Sequence, residues 1–121
     1  MKNDMMAIHK GRRHSKYIGQ FGELLVCNWL SRSGFEVMLV DHVAIDIAAY
    51  RKDKGGIGIS VKSRTRSRPG SETESVNLFS RTSDDEPALM RAVCQEFGLE
   101  PGIAVYVESA NAAEQIGRAH V

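Results

Sequence analysis

Apolar residues recur at helical spacing from Ile18 to Leu30 and then give way to short continuous runs, and that change of period lays out the chain. Ile18, Phe21, Leu25 and Trp29 form one stripe, Val26 and Leu30 widen it, and Gly34 stands where a helix end accepts a left-handed residue. The pattern predicts a helix over 17–32. Two runs rich in β-branched residues, 35–40 and 43–50, are parted by Asp41-His42 and read as an antiparallel pair. The stretch 51–56 (RKDKGG) has turn composition. A third strand follows over 57–62, and its continuous apolarity predicts burial on both faces.

Residues 64–82 are rich in Ser, Arg, Thr, Gly and Pro, which is long for a structureless connection in a small domain and favours a functional loop. Ser83-Asp84-Asp85-Glu86-Pro87 reads as a helix start: serine at the cap, acids at the positive end of the dipole, proline in the first turn. That helix is expected to reach Phe97 and stop at Gly98, with a fourth strand over 103–107. The order helix, three strands, helix, strand belongs to the α/β class, a mixed central sheet flanked by helices.

Composition narrows this only a little. The chain has 121 residues, enough for one core, so a single domain over 17–114 is expected behind a basic arm over 1–16. Net charge is +1, so only the distribution of charge points to a partner. Lys2, Lys10, Arg12, Arg13 and Lys16 gather in the arm, and Lys62, Arg64, Arg66 and Arg68 follow one another with no acid between them. Cys27 and Cys94 sit in apolar contexts and read as core thiols of a reducing cytoplasm. No run approaches the roughly 20 apolar residues of a membrane span, and the N-terminus lacks the apolar stretch of a signal peptide. A cytoplasmic protein is expected. Residues 116–121 (IGRAHV) resemble the translation of a widely used DNA-sequencing adapter, so 115–121 reads as a foreign tail and the natural chain as cut near Gln115.

Candidate chemistry starts with Asp46, an acid interrupting an apolar strand, and Lys62, which closes the next strand a hairpin later. A strand carboxylate and a lysine on the neighbouring strand outline a metal-dependent phosphodiesterase site: Mg²⁺ takes oxygen ligands and keeps waters, and an ammonium orients the attacking water. Each residue also has a plainer reading, a solvated strand-end acid and an edge-guarding lysine. Their conjunction carries the weight. Asp84, Asp85 and Glu86 read as capping residues rather than a metal cluster. His9, His14 and His42 lack zinc spacing, and no Gly-rich phosphate loop or Ser/His/Asp arrangement stands out.

The segments Gly19-Gln20-Phe21-Gly22-Glu23, Asp46-Ile47-Ala48 and Ser60-Val61-Lys62-Ser63-Arg64, in this order of elements, resemble the PD-(D/E)xK nuclease superfamily, in particular its Holliday-junction-resolvase-like branch. The resemblance runs from about Ile18 to Val107 and implies a restriction-endonuclease-like αβββαβ core. It implies that Glu23 and Asp46 gather around Mg²⁺ (or Mn²⁺), with Lys62 beside the attacking water and a DNA substrate, branched or duplex. A homodimer is also implied. The chain departs from the pattern at Ser60, where the triplet's acid would stand; a hydroxyl is a weak ligand for a hard dication, and the Val61 carbonyl with Glu23 is left to complete the sphere. Small residues at Gly19 and Gly22 leave the helix flank open for close approach of a sheet edge or phosphate. Arg64, Arg66 and Arg68 would grip the DNA backbone, helped by Arg12 and Arg13 in the arm. Two rivals remain: a DNA-binding module of this fold that has lost chemistry through Ser60, and an interaction domain with no nucleic-acid role.

Overall fold

The computed structural model describes residues 7–66 and 85–109 and the backbone of 119–120. Helix α1 spans His14–Arg32, followed by strands β1 (Glu36–Leu39), β2 (Ile47–Arg51) and β3 (Gly55–Arg66), helix α2 (Glu86–Glu96), β4 (Glu100–Ser109) and a two-residue β5 (Ala119–His120). The strands lie in sequence order in one mixed sheet. β1–β2 and β2–β3 are antiparallel, β3–β4 is parallel, and β5 runs antiparallel along β4. The α/β architecture read from the pattern is therefore present, with a helix on each face of the sheet. No helix among the described residues is long and apolar enough to cross a membrane.

Side chains alternate across the sheet, which divides the core in two. On one face Ile47, Ala49, Ile59 and Ala104 pack against Val26 and Leu30 of α1. On the other, Ile45 packs with Met90 and Cys94 of α2, with Ile103 and Leu99 alongside. The buried stripe of α1 is Ile18, Gly22, Val26 and Leu30. Phe21 and Trp29, expected inside, lie at its half-exposed margin; Phe21 stacks on Tyr106 instead, with ring centroids 5.3 Å apart.

Gly22 faces the sheet so closely that a Cβ there would lie 2.1 Å from Ser63 Oγ, whereas Gly19 faces open space. Only the second of the two flank glycines is therefore a contact residue. Gly34 and Gly98 hold positive φ angles where both helices stop, as their positions predicted. Arg51 ties the β2–β3 hairpin to the end of α1: it forks onto Asp53 at 2.6 and 3.0 Å, donates to the Ser33 carbonyl and covers the Phe35 ring.

Several boundaries moved. α1 starts three residues early, because His14 in its first turn reaches Glu108 at 2.8 Å and Thr65 at 3.4 Å and so fastens that turn to the sheet. β2 starts late: Val43 is 86% exposed and Ala44 donates its N–H to His42 Nδ1, a local turn that keeps 43–45 out of the sheet. β3 runs on to Arg66, since the parallel ladder with β4 continues through Arg66↔Ser109. The remainder of the expected loop, with Arg68, Ser83 and Asp84, lies outside the described residues, as does most of the expected tail.

Candidate functional site

Asp46 stands one residue before β2, and its backbone already belongs to the sheet. Its N–H donates to the Ile59 carbonyl at 2.8 Å, and its C=O accepts from Val40 N–H at 2.8 Å. Its side chain then turns to the edge of β3, where Oδ2 accepts the Val61 N–H at 2.7 Å. That bond fixes the carboxylate, and its second oxygen has no hydrogen-bond partner among the described residues. Because an extended residue turns its N–H and C=O to the same side of the strand, the Val61 carbonyl lies on the same edge of β3 as this N–H.

Glu23 comes from α1 to the same place. Glu23 and Asp46, with Leu39, Val40, Asp41 and His42, line an open cleft of about 320 Å³. Burial pushes the Glu23 carboxyl above its usual range, and the neighbouring charge of Asp46 pushes it further. Among the described residues no cation forms an ion pair with either acid. Two carboxylates held together without a counter-charge raise the energy of the folded chain and make a place that a cation would stabilise.

Ser60 and Lys62 lie on the α2 side of β3. Ser60 is 7% exposed, the one buried polar residue of the described set. The Lys62 ammonium makes a part-buried ion pair with Glu86, from the first turn of α2. The helix start bears out the acid and the proline expected in the first turn, but Asp85 makes no side-chain cap bond and Glu86 also reaches across to the strand. Glu86 is the residue that sequence reasoning missed, because the same acid at a helix start serves the dipole equally well; only the crossover from β3 to α2 tells them apart. Asp46 and Lys62 do not form an ion pair with each other. Lys62 is also absent from the cleft lining, so the structure unites Glu23 and Asp46 and sets Lys62 beside them, across the strand.

Arg64 and Arg66 continue the Lys62 face of β3, as the extended strand requires. Arg12 and Arg13 are exposed at the start of α1. Cys27, one turn beyond Glu23, has its thiol pushed up by burial and by that glutamate, which argues against a nucleophilic role. A larger open pocket of about 660 Å³ near Gly56 and Leu99, at the start of β3, holds no such pair of acids.

The chain matches no protein-family model, no curated protein and no solved structure. The chemistry of the cleft thus rests on its own atoms. No three His, Cys, Asp or Glu side chains gather at one point among the described residues. Two carboxylates and a backbone carbonyl, all hard oxygen donors, nevertheless suit Mg²⁺ or Mn²⁺, since Mg²⁺ is commonly held by one or two carboxylates and keeps several waters.

A pH signature follows from Glu23. Its raised pKa means that the folded chain holds this proton more tightly than the unfolded chain, so stability falls as pH rises from the ordinary glutamate value to the folded one. Glu23→Gln should therefore raise the thermal midpoint at pH 7, with the gain vanishing at about pH 4 and below. Millimolar Mn²⁺ should raise the midpoint of the parent chain more than that of the variant. Equal midpoints at pH 7 would show that Glu23 is merely solvated.

Proposed function

We propose that this chain is a metal-dependent nuclease domain that binds DNA and hydrolyses its phosphodiester backbone. The observation that carries the reading is the meeting of Glu23 and Asp46, from separate elements, in one open cleft, with no ion-paired cation among the described residues and with Val61 N–H fixing Asp46. The resemblance of the three site segments to PD-(D/E)xK nucleases supports it further. Asp46 and Glu23 would hold Mg²⁺ or Mn²⁺, with the Val61 carbonyl and waters completing the set. When bound, such an ion polarises a phosphoryl oxygen and lowers the pKa of a coordinated water. Lys62, next to Val61 in the strand, supplies a charged donor to position the attacking water and offset the charge developing on phosphorus. Glu86 restrains that lysine through their ion pair. Arg64 and Arg66 hold the backbone of the substrate without reading its sequence.

The second reading is a DNA-binding module without chemistry. It is favoured by Ser60, buried where the resemblance would have an acid, and by the engagement of Lys62 with Glu86 on the far side of β3. A nicking assay on supercoiled and branched DNA, with Mg²⁺ or Mn²⁺ against chelator, separates the two: metal-dependent nicking supports the nuclease, and binding without nicking supports the module. Ser60→Glu sharpens the result. If position 60 borders the metal, the added carboxylate should tighten Mn²⁺ binding about tenfold or more and raise cleavage, since each such gain is one charged ligand. A folded Ser60→Glu with unchanged metal affinity would remove position 60 from the site.

A further inference from the structure

Strand β3 outruns its antiparallel partner. β2 pairs with it only from Gly55 to Ile59, the Asp46 carboxylate takes the next available N–H at Val61, and β3 then continues to Arg66 along β4 alone. Alternate residues of a strand turn their N–H and C=O groups to alternate sides. The bonds from Asp46 N–H to the Ile59 carbonyl and from Val61 N–H to Asp46 put odd-numbered residues on the β2 side. Ser63 and Thr65 therefore direct their N–H groups along the same edge, beyond the end of β2. Among the described residues no backbone group accepts from either of them on that side.

The edge is also basic. Lys62, Arg64 and Arg66 share one face of this stretch, which contains no acid. Arg64 Nη1 donates to the Ser63 carbonyl at 2.8 Å, which brings its guanidinium to the edge itself. We propose that the edge of β3 from Ser63 to Thr65, which no described strand pairs on the β2 side, is a rail for the phosphate backbone of a nucleic-acid strand. The N–H groups of Ser63 and Thr65 donate to neighbouring phosphates, and Arg64 and Arg66 supply the charge. This deepens the nucleic-acid reading above and rests on it. Alternate residues stand about 6.6–6.8 Å apart, comparable with the spacing of neighbouring phosphates in an extended strand. The rail ends at Asp46, so a strand lying on it is delivered to the carboxylate cleft.

The test removes a donor without touching charge. Proline is tolerated on an edge strand where its missing N–H would face outward, so Thr65→Pro deletes one rail donor and keeps the net charge. Thr65→Val, which keeps the N–H and loses the hydroxyl near His14 and Glu108, gives the reference affinity. Binding of a short fluorescent oligodeoxynucleotide is measured over a salt series. Thr65→Pro should bind about tenfold more weakly than Thr65→Val at every salt concentration, the effect of one lost charge-assisted hydrogen bond, with an unchanged salt slope. Arg64→Ala with Arg66→Ala should instead flatten the slope by about one ion per arginine. Should the proline variant misfold, amide hydrogen exchange of the parent chain takes its place, with Ser63 and Thr65 slowing when the oligonucleotide is added. Equal affinity of the folded proline and valine variants, or amides whose exchange ignores bound DNA, overturns the rail and leaves DNA binding standing. No binding by the parent chain overturns both. Protection that grows with protein concentration in the absence of DNA assigns the edge to a second copy and also overturns the rail.

Discussion

Asp46→Ala should abolish metal-dependent nicking, by about 10²–10³-fold or more, which corresponds to the several kcal/mol of charge stabilisation that a bound dication contributes. The substitution removes the carboxylate fixed by Val61 N–H and leaves Glu23 and Asp41 as the acids that line the cleft among the described residues. Asp46→Asn is the companion variant: its carbonyl oxygen can still accept from Val61, so the local fold is kept while the charge is lost. Both variants should retain oligonucleotide binding, because the Arg64 and Arg66 side chains remain. Glu23 should also titrate closer to its ordinary range in either background, having lost a neighbouring negative charge. Parental nicking rates in a folded Asp46→Ala would remove the cleft from the mechanism altogether.

The second large effect concerns the joint between α1 and the sheet, and it holds whatever the activity. A Cβ at Gly22 would meet Ser63 Oγ at 2.1 Å and the Cβ atoms of Ser63 and Tyr106 at 3.4 Å. Alanine can be accommodated in part, since the Ser63 hydroxyl can rotate and alanine favours helix over glycine by about 1 kcal/mol. Valine cannot, because its branched carbons are driven into Ser63 and Tyr106. Gly22→Val should cost about 2–3 kcal/mol in denaturant unfolding, and adding Ser63→Gly should restore part of it. A Gly22→Val protein within about 0.5 kcal/mol of the parent would mean that α1 sits further from the sheet than these contacts require. Displacing α1 would also carry Glu23 away from Asp46, so the same variant should lose metal response.

The parts of the fold legible in the sequence are those where a local rule and the global packing agree. Gly34 and Gly98 mark helix ends because a left-handed residue is needed there, and the apolar period of 18–30 marks α1. The meeting of Glu23 with Asp46 was reached through resemblance rather than period, since nothing in the spacing of a helix and a strand dictates how they dock. What stayed hidden was set by contacts distant in sequence. The early start of α1 depends on Glu108, the length of β3 depends on β4, and the role of Glu86 depends on a crossover that returns α2 to the Lys62 side of the strand. Phe21 and Trp29 misled because Gly22 brings the backbone of α1 itself against the sheet and leaves the largest side chains at the margin. The restriction-endonuclease-like identity of the core goes beyond what an α/β sheet of this order establishes.

The parallel register of β3 with β4 bears on how the molecule comes apart. The β2–β3 hairpin closes over a three-residue turn, whereas Ile57 meets Glu100 only after a connection roughly ten times longer, which costs about 2 kcal/mol more in loop-closure entropy. The residues that line the carboxylate cleft come from α1, the end of β1 and the β1–β2 connection, on the near side of that long connection. Lys62 gains Glu86 only once the connection has closed. Loosening of β4 and α2 therefore frees Lys62 from Glu86, and because Ala104, Tyr106 and Glu108 of β4 also hold α1, it loosens the seat of Glu23 as well.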